Sequence, residues 1–180
     1  MEWQELVQDS YDRVWDALKT ALGGLSVDDL DWQPHPDCNS MGWLAWHLTR
    51  VQDDHLSDLM GREQLWTGEG WYARFNRPPD PGDIGWGHTS EQVAAFESPD
   101  VETLLGYHRA VLERTKGYIA TLWPADLERE LNEPWFSPLP TVGVRLVSVV
   151  SDGLQHAGQV AYVRGLLQGK GWLEAASAIG

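Results

Sequence analysis

The stretch Ser151-Asp-Gly-Leu-Gln-His-Ala-Gly-Gln-Val-Ala-Tyr-Val-Arg164 decides how this chain is read. It lies inside a helical pattern that runs from about Thr141 to Gln168 and stops before Gly169. At 1.5 Å per residue such a helix is roughly 40 Å long. Asp152 and His156 stand four residues apart, so on a helix both side chains point the same way, one turn apart. Ser148 and Gln159 extend them into a polar stripe, flanked by Leu146, Val149 and Val150 on its N-terminal side, with Val160 and Val163 beyond. The flanking apolar residues predict that the stripe faces inward. A buried carboxylate and imidazole need partners. A divalent cation is one such partner; a direct Asp–His hydrogen bond is the other.

Three more long helical patterns precede this one, and no segment reads as a strand. The first runs from about Glu2 to Leu22, with Val7, Tyr11, Val14, Leu18 and Leu22 on one face and Gly23-Gly24 as its stop. Ser26-Val-Asp-Asp29 is a capping-box pattern for a short turn. The second long helix starts after Asn39 or Ser40, either a good N-cap, and runs through His47 to about Met60. The third opens at Ser98-Pro99-Asp100 as N-cap, first-turn proline and first-turn acid, and Pro124 ends it. Residues 61–97 form the longest irregular stretch, rich in Gly and Pro, with Thr89-Ser-Glu-Gln92 as the cap of a short helix inside it. A connection this long points to a functional segment or lid. Four amphipathic helices predict an all-α four-helix bundle. The long second connection permits a topology other than up-down-up-down.

Composition narrows the function. The 180 residues suit one domain spanning 1–180. The formal net charge is −14, with 27 acidic against 13 basic residues. Nucleic acid and anionic membrane surfaces are therefore excluded as partners, because both need a basic face. No apolar run is long enough for a transmembrane helix, and the acidic, amphipathic N-terminus has none of the features of a signal peptide, so the expected location is the cytoplasm. The lone Cys38 excludes an internal disulfide and a Cys-rich zinc site, and reads as incidental.

His47, in Gly42-Trp-Leu-Ala-Trp-His-Leu48, is the candidate third ligand for a cation held by Asp152 and His156. Three protein ligands leave coordination positions open for chemistry, and bundle cores are a usual place for such sites. His108 lies on the apolar face of the third helix and reads as a fourth ligand or as a core histidine. His55 is rotated off the His47 face by about 80°, which places it at the surface or rim. Asp54, seven residues after His47, is within reach of a supporting contact to the metal ligands. His35 and His88 fall in loops, His88 where it can line a pocket mouth.

These motifs carry a resemblance over nearly the whole chain. Trp32-Gln-Pro34, Trp43-Leu-Ala-Trp-His47 and Asp152-Gly-Leu-Gln-His-Ala-Gly-Gln159 resemble the DinB-like superfamily. That resemblance implies a four-helix bundle holding a metal by three side chains, here His47, Asp152 and His156. Many members have histidine at all three positions. Asp152 departs from them and matches the branch that resembles mycothiol-dependent maleylpyruvate isomerase. Trp46-His47, Arg50-Val-Gln-Asp53, Trp71-Tyr-Ala-Arg-Phe75, Gly85-Trp-Gly-His88 and Arg145-Leu-Val-Ser148 are similar to the actinobacterial mycothiol S-transferases.

The resemblance implies a metal-dependent S-transferase that joins a low-molecular-weight, mycothiol-like thiol to a small electrophile. Zinc is the first expectation for the metal, with nickel, manganese and iron also compatible. Arg50, Arg74 or Arg164 would anchor polar groups of the thiol. The alternatives are a metal-dependent hydrolase, with Asp54 as its general base, and a non-enzymatic dimeric helical scaffold or binding protein. A homodimer is expected by resemblance and because most soluble oligomers are two-fold homodimers.

Overall fold

The computed structural model describes residues 1–173, and in them eight α-helices follow one another. They are α1 (Trp3–Leu22), α2 (Val27–Asp31), α3 (Met41–Met60), α4 (Leu65–Gly68), α5 (Trp71–Arg74), α6 (Ser90–Ala94), α7 (Val101–Ile119) and α8 (Val142–Gln168). A 3-10 turn, Pro124–Glu128, precedes α8. Among the described residues there is no strand, only an isolated antiparallel bridge between Glu130 and Thr141. None of these helices is long and apolar enough to cross a membrane.

The four long helices close into a bundle in which α1 and α3 each pack against both α7 and α8. Side-chain contacts fix their directions. Tyr11 donates to the Leu146 carbonyl, and Arg164 donates to the carbonyls of Thr20, Ala21 and Gly23, so α1 and α8 are parallel. Gln52 bonds Thr115, and Tyr118 donates to the Leu59 carbonyl, so α3 and α7 are parallel. Gln4 reaches the Leu122 carbonyl and Gln8 the Lys116 carbonyl, so α7 is antiparallel to α1. The order is up-down-down-up. Two consecutive long helices pointing the same way need a connection that runs the length of the bundle, which is why residues 61–100 are so many.

That connection is folded more fully than its composition suggests. Asp53 of α3 accepts the amides of Leu65 (3.0 Å) and Trp66 (2.8 Å), capping the start of α4. Leu65, Trp66, Trp71, Phe75, Val93 and Phe96 are buried in the core with Trp43 and Trp46. Thr89 and Gln92 form the predicted capping box at α6, and Ser26 with Asp29 forms the one at α2. Ser40 is the N-cap of α3, accepting from the Trp43 amide.

Two boundaries of α7 differ from expectation. Its N-cap is Asp100, which accepts from the Thr103 amide at 2.8 Å, and not Ser98. Ser98 is buried against Gly42, and its amide donates to Asp31 instead. The helix ends at Ile119, five residues before Pro124, which opens the 3-10 turn.

The stripe on α8 also sits differently. Val142, Leu146, Val149, Gly153, Ala157 and Val160 face the core, with Gly153 letting Val14 of α1 come close. This centres the buried face to one side of the polar stripe. Ser148 and Gln159 are exposed, and Asp152 and His156 are half-buried on the flank towards α3. The polar stripe is therefore the edge of the interface, and not its centre.

Candidate metal centre

His47, Asp152 and His156 come together where α3 crosses this flank. Each offers one ligand atom, and these atoms lie within 4.8 Å of one another. The His47 and His156 rings meet edge to face with centroids 4.8 Å apart. His156 Nε2 is 3.4 Å from Asp152 Oδ1. His47 is buried beneath the other two, so the cluster is backed by the bundle and open on its outer side.

Both imidazoles are turned the same way. His47 Nδ1 is 2.5 Å from the Ile84 carbonyl, which can only accept, so Nδ1 carries the proton and Nε2 keeps its lone pair. His156 Nδ1 donates to Gln159 Oε1 at 2.7 Å, which frees its Nε2 in the same manner. A histidine that ligates a metal through one nitrogen normally donates its other N–H to an oxygen. Asp152 Oδ2 is buried and has no hydrogen-bond partner among the described residues. An orphaned carboxylate oxygen beside two imidazole Nε2 atoms, of which only that of His156 has a neighbour, the other Asp152 oxygen at 3.4 Å, fits a cation, which would satisfy all three.

The titration behaviour is asymmetric. Burial lowers the His47 pKa, with the Ile84 carbonyl opposing. The Asp152 carboxylate raises that of His156. One ligand thus stays neutral by desolvation, while the other is held by its carboxylate neighbour.

A strap formed by residues 81–88 lies over His47. Gly85 takes φ +86° there, and a Cβ on it would stand 2.9 Å from both Trp43 Cζ2 and Trp46 Cζ3 and 3.0 Å from His47 Nδ1. Trp43 stacks on His47 with centroids 4.8 Å apart. Its Nε1 donates to His88, whose other nitrogen bonds Asp83, and Asp83 pairs with Arg77 at 2.7 Å. His88 is thus a tether of the strap, and not the rim of a pocket.

The remaining candidates have other work. His108 is fully buried, bonded to Thr49 Oγ1 and stacked on Trp15, away from the cluster, so it is not a fourth ligand. Asp54 accepts from Gln64 and lies beside His55, outside the ligands' hydrogen bonds. Arg50 is fully buried and donates to the Pro81 and Asp83 carbonyls and to Tyr107. Arg164 caps the end of α1 and stacks on Trp172. Neither is free to anchor a ligand. Arg74, stacked on Trp71, is exposed.

A cavity of about 650 Å³ lies along the α3/α8 groove from the triad, lined by Asp54, His55, Arg145, Ser148, Trp135 and Phe136, among others. Arg145 pairs with both oxygens of Glu133 and contacts His55. Burial and the Arg145 charge lower the His55 pKa to about 4, so this ring is neutral. Arg145 had no individual role in the sequence reading. Its position seven residues before Asp152, two turns along the same flank, was the available signal.

The profile of the DinB superfamily matches residues 10–160, which include all three triad residues. A conserved protein from Enterococcus faecalis, known from a crystal structure, superposes with a TM-score of 0.87 at 30% identity, over 94% of this chain and 99% of its own. No curated protein matches the chain.

Proposed function

The chain belongs to the DinB superfamily, and from that premise we propose that it is a metal-dependent S-transferase. The observation that carries the proposal is the donor set itself: one atom each from two imidazoles and a carboxylate lie within 4.8 Å of one another, beside an unpartnered oxygen of that carboxylate, in a cluster open on one side. Two nitrogens and one oxygen suit zinc first, with nickel, manganese and iron compatible. A divalent cation held this way supplies one piece of chemistry, lowering the pKa of a coordinated thiol so that the nucleophilic thiolate forms at neutral pH.

The chain's own residues do the rest. His47 forms a fixed floor, set by Ile84 and Trp43. Asp152 and His156 form the outer wall, with Gln159 orienting His156. The neighbouring groove offers room for the electrophile, and Trp135 and Phe136 at its mouth suit an apolar body. The thiol we assign is small and of the mycothiol type, on the strength of the motifs around His47, Trp71, Gly85 and Arg145. The hydrolytic alternative fits less well, because Asp54, its candidate base, lines the neighbouring cavity, to which none of the three triad residues contributes.

The test is a conjugation assay. Zinc-loaded protein is offered a panel of cellular thiols with an activated aryl halide, and thioether is measured. The proposal expects turnover with at least one thiol and none with His156→Ala. Ester hydrolysis without any thiol would replace it with the hydrolase.

A further inference from the structure

His47 can present either ring nitrogen to Asp152 and His156, and nothing on α3 chooses between them. We propose that the 81–88 strap makes that choice: the Ile84 carbonyl fixes the His47 tautomer, and Gly85 is the positioning residue that lets the carbonyl arrive. The inference rests on the metal reading of the triad and adds what sets the affinity of that site.

Three side chains of α3 hold the strap, all on one face. Trp43, His47 and Arg50 are spaced i−4, i and i+3. Arg50 grips the strap's first half through the carbonyls of Pro81 (2.9 Å) and Asp83 (3.2 Å). Trp43 holds its second half through His88 at 3.2 Å. His47 takes the carbonyl between them. From outside, Arg77 pairs with Asp83 and lies over the Trp46 ring. The strap is thus tied at both ends before it meets His47, and its carbonyl is aimed by structure that exists without any metal.

Gly85 makes the approach possible in two separate ways. Its φ of +86° is costly for a side chain. Its Cα also sits so close to Trp43, Trp46 and His47 that a methyl group would press on all three. Gly87 separates these effects. It has φ +76°, but beyond its own chain neighbours no atom lies within 4 Å of where its Cβ would be. Alanine at 87 therefore imposes backbone strain alone, whereas alanine at 85 adds a push on the His47 ring.

Zinc affinity, read by competition with a chromogenic chelator, tests the proposal alongside circular dichroism. Gly85→Ala is expected to bind zinc about 10- to 100-fold more weakly than wild type, the usual loss when a ligand's supporting hydrogen bond is disturbed. Gly87→Ala keeps wild-type affinity. Asp83→Asn, which loosens the outer tether without adding an atom near His47, shows a smaller loss in the same direction and decides the matter should Gly85→Ala not fold. A two-bond ¹H–¹⁵N spectrum of metal-free protein reads the tautomer directly: Nδ1–H in wild type, a mixture in Gly85→Ala. Equal losses in both glycine variants, or unchanged affinity and tautomer in folded Gly85→Ala, overturn the strap's role. Wild-type protein that takes up no zinc sinks the metal reading instead, and the tautomer spectrum still judges the strap.

Discussion

His108 illustrates how much chemistry a single buried side chain can carry without being part of a site. Its ring is sealed between Trp15 and Thr49, and burial lowers its pKa to about 4 from an ordinary 6.5. The unfolded chain takes up this proton as the pH falls through 6.5, whereas the folded chain does not until about 4. Stability should hold above pH 6.5 and fall between 6.5 and 4, by ~3 kcal/mol from this residue. His55, also lowered to about 4, steepens the same window. Urea unfolding between pH 7 and 4.5 should show a slope about 1 kcal/mol per pH unit shallower in His108→Phe than in wild type. Identical slopes would mean that the buried ring is protonated in the fold. At this scale the triad was legible, because the i,i+4 pair and the inward histidine are side-chain patterns. The Ile84 carbonyl was not: a backbone oxygen has no signature in sequence, and only the fold shows where it points.

Helices met the sequence pattern where their ends are set locally. Ser26, Ser40, Thr89 and Thr141 all cap the helices that follow them. The start of α7 departs from the local pattern because Ser98 and Asp100 are both good caps, and long-range contacts of Ser98 with Asp31 and Gly42 decide between them. The flank position of the triad was hidden for a related reason. Val149 and Val150 border the polar stripe on one side only, and which side is buried depends on α1 meeting Gly153. Between α3 and α4 the join depends on Asp53, which accepts from two α4 amides and Tyr107 and lies 3.7 Å from buried Arg50. Asp53→Asn leaves that guanidinium uncompensated and should cost about 3–5 kcal/mol in urea unfolding. A loss under about 1 kcal/mol would show that the carbonyls of Pro81 and Asp83 suffice for Arg50.

The whole molecule carries a formal charge of −14, yet the outward face of α8 carries none of it. Val144, Val147, Leu154, Tyr162 and Leu166 are exposed there. The charged residues of the helix are committed elsewhere: Arg145 to Glu133, Arg164 to α1, Asp152 to the triad. We propose that two copies pair through this face, where equally acidic molecules can meet without opposing like charges. Light scattering should give a dimer for wild type and a monomer for Leu154→Glu with unchanged helicity; a monomeric wild type at all concentrations would refute the pairing. The bundle itself was readable from four apolar periodicities. Its up-down-down-up order was not, because direction follows from contacts such as Gln52 with Thr115 that no local pattern encodes.

We infer that His47, Asp152 and His156 hold one divalent cation. Native mass spectrometry of zinc-loaded protein tests it most directly. Wild type should carry one zinc per chain, and His156→Ala, with its helicity intact, should carry none. A full complement of zinc in His156→Ala, or none in wild type, would contradict the account.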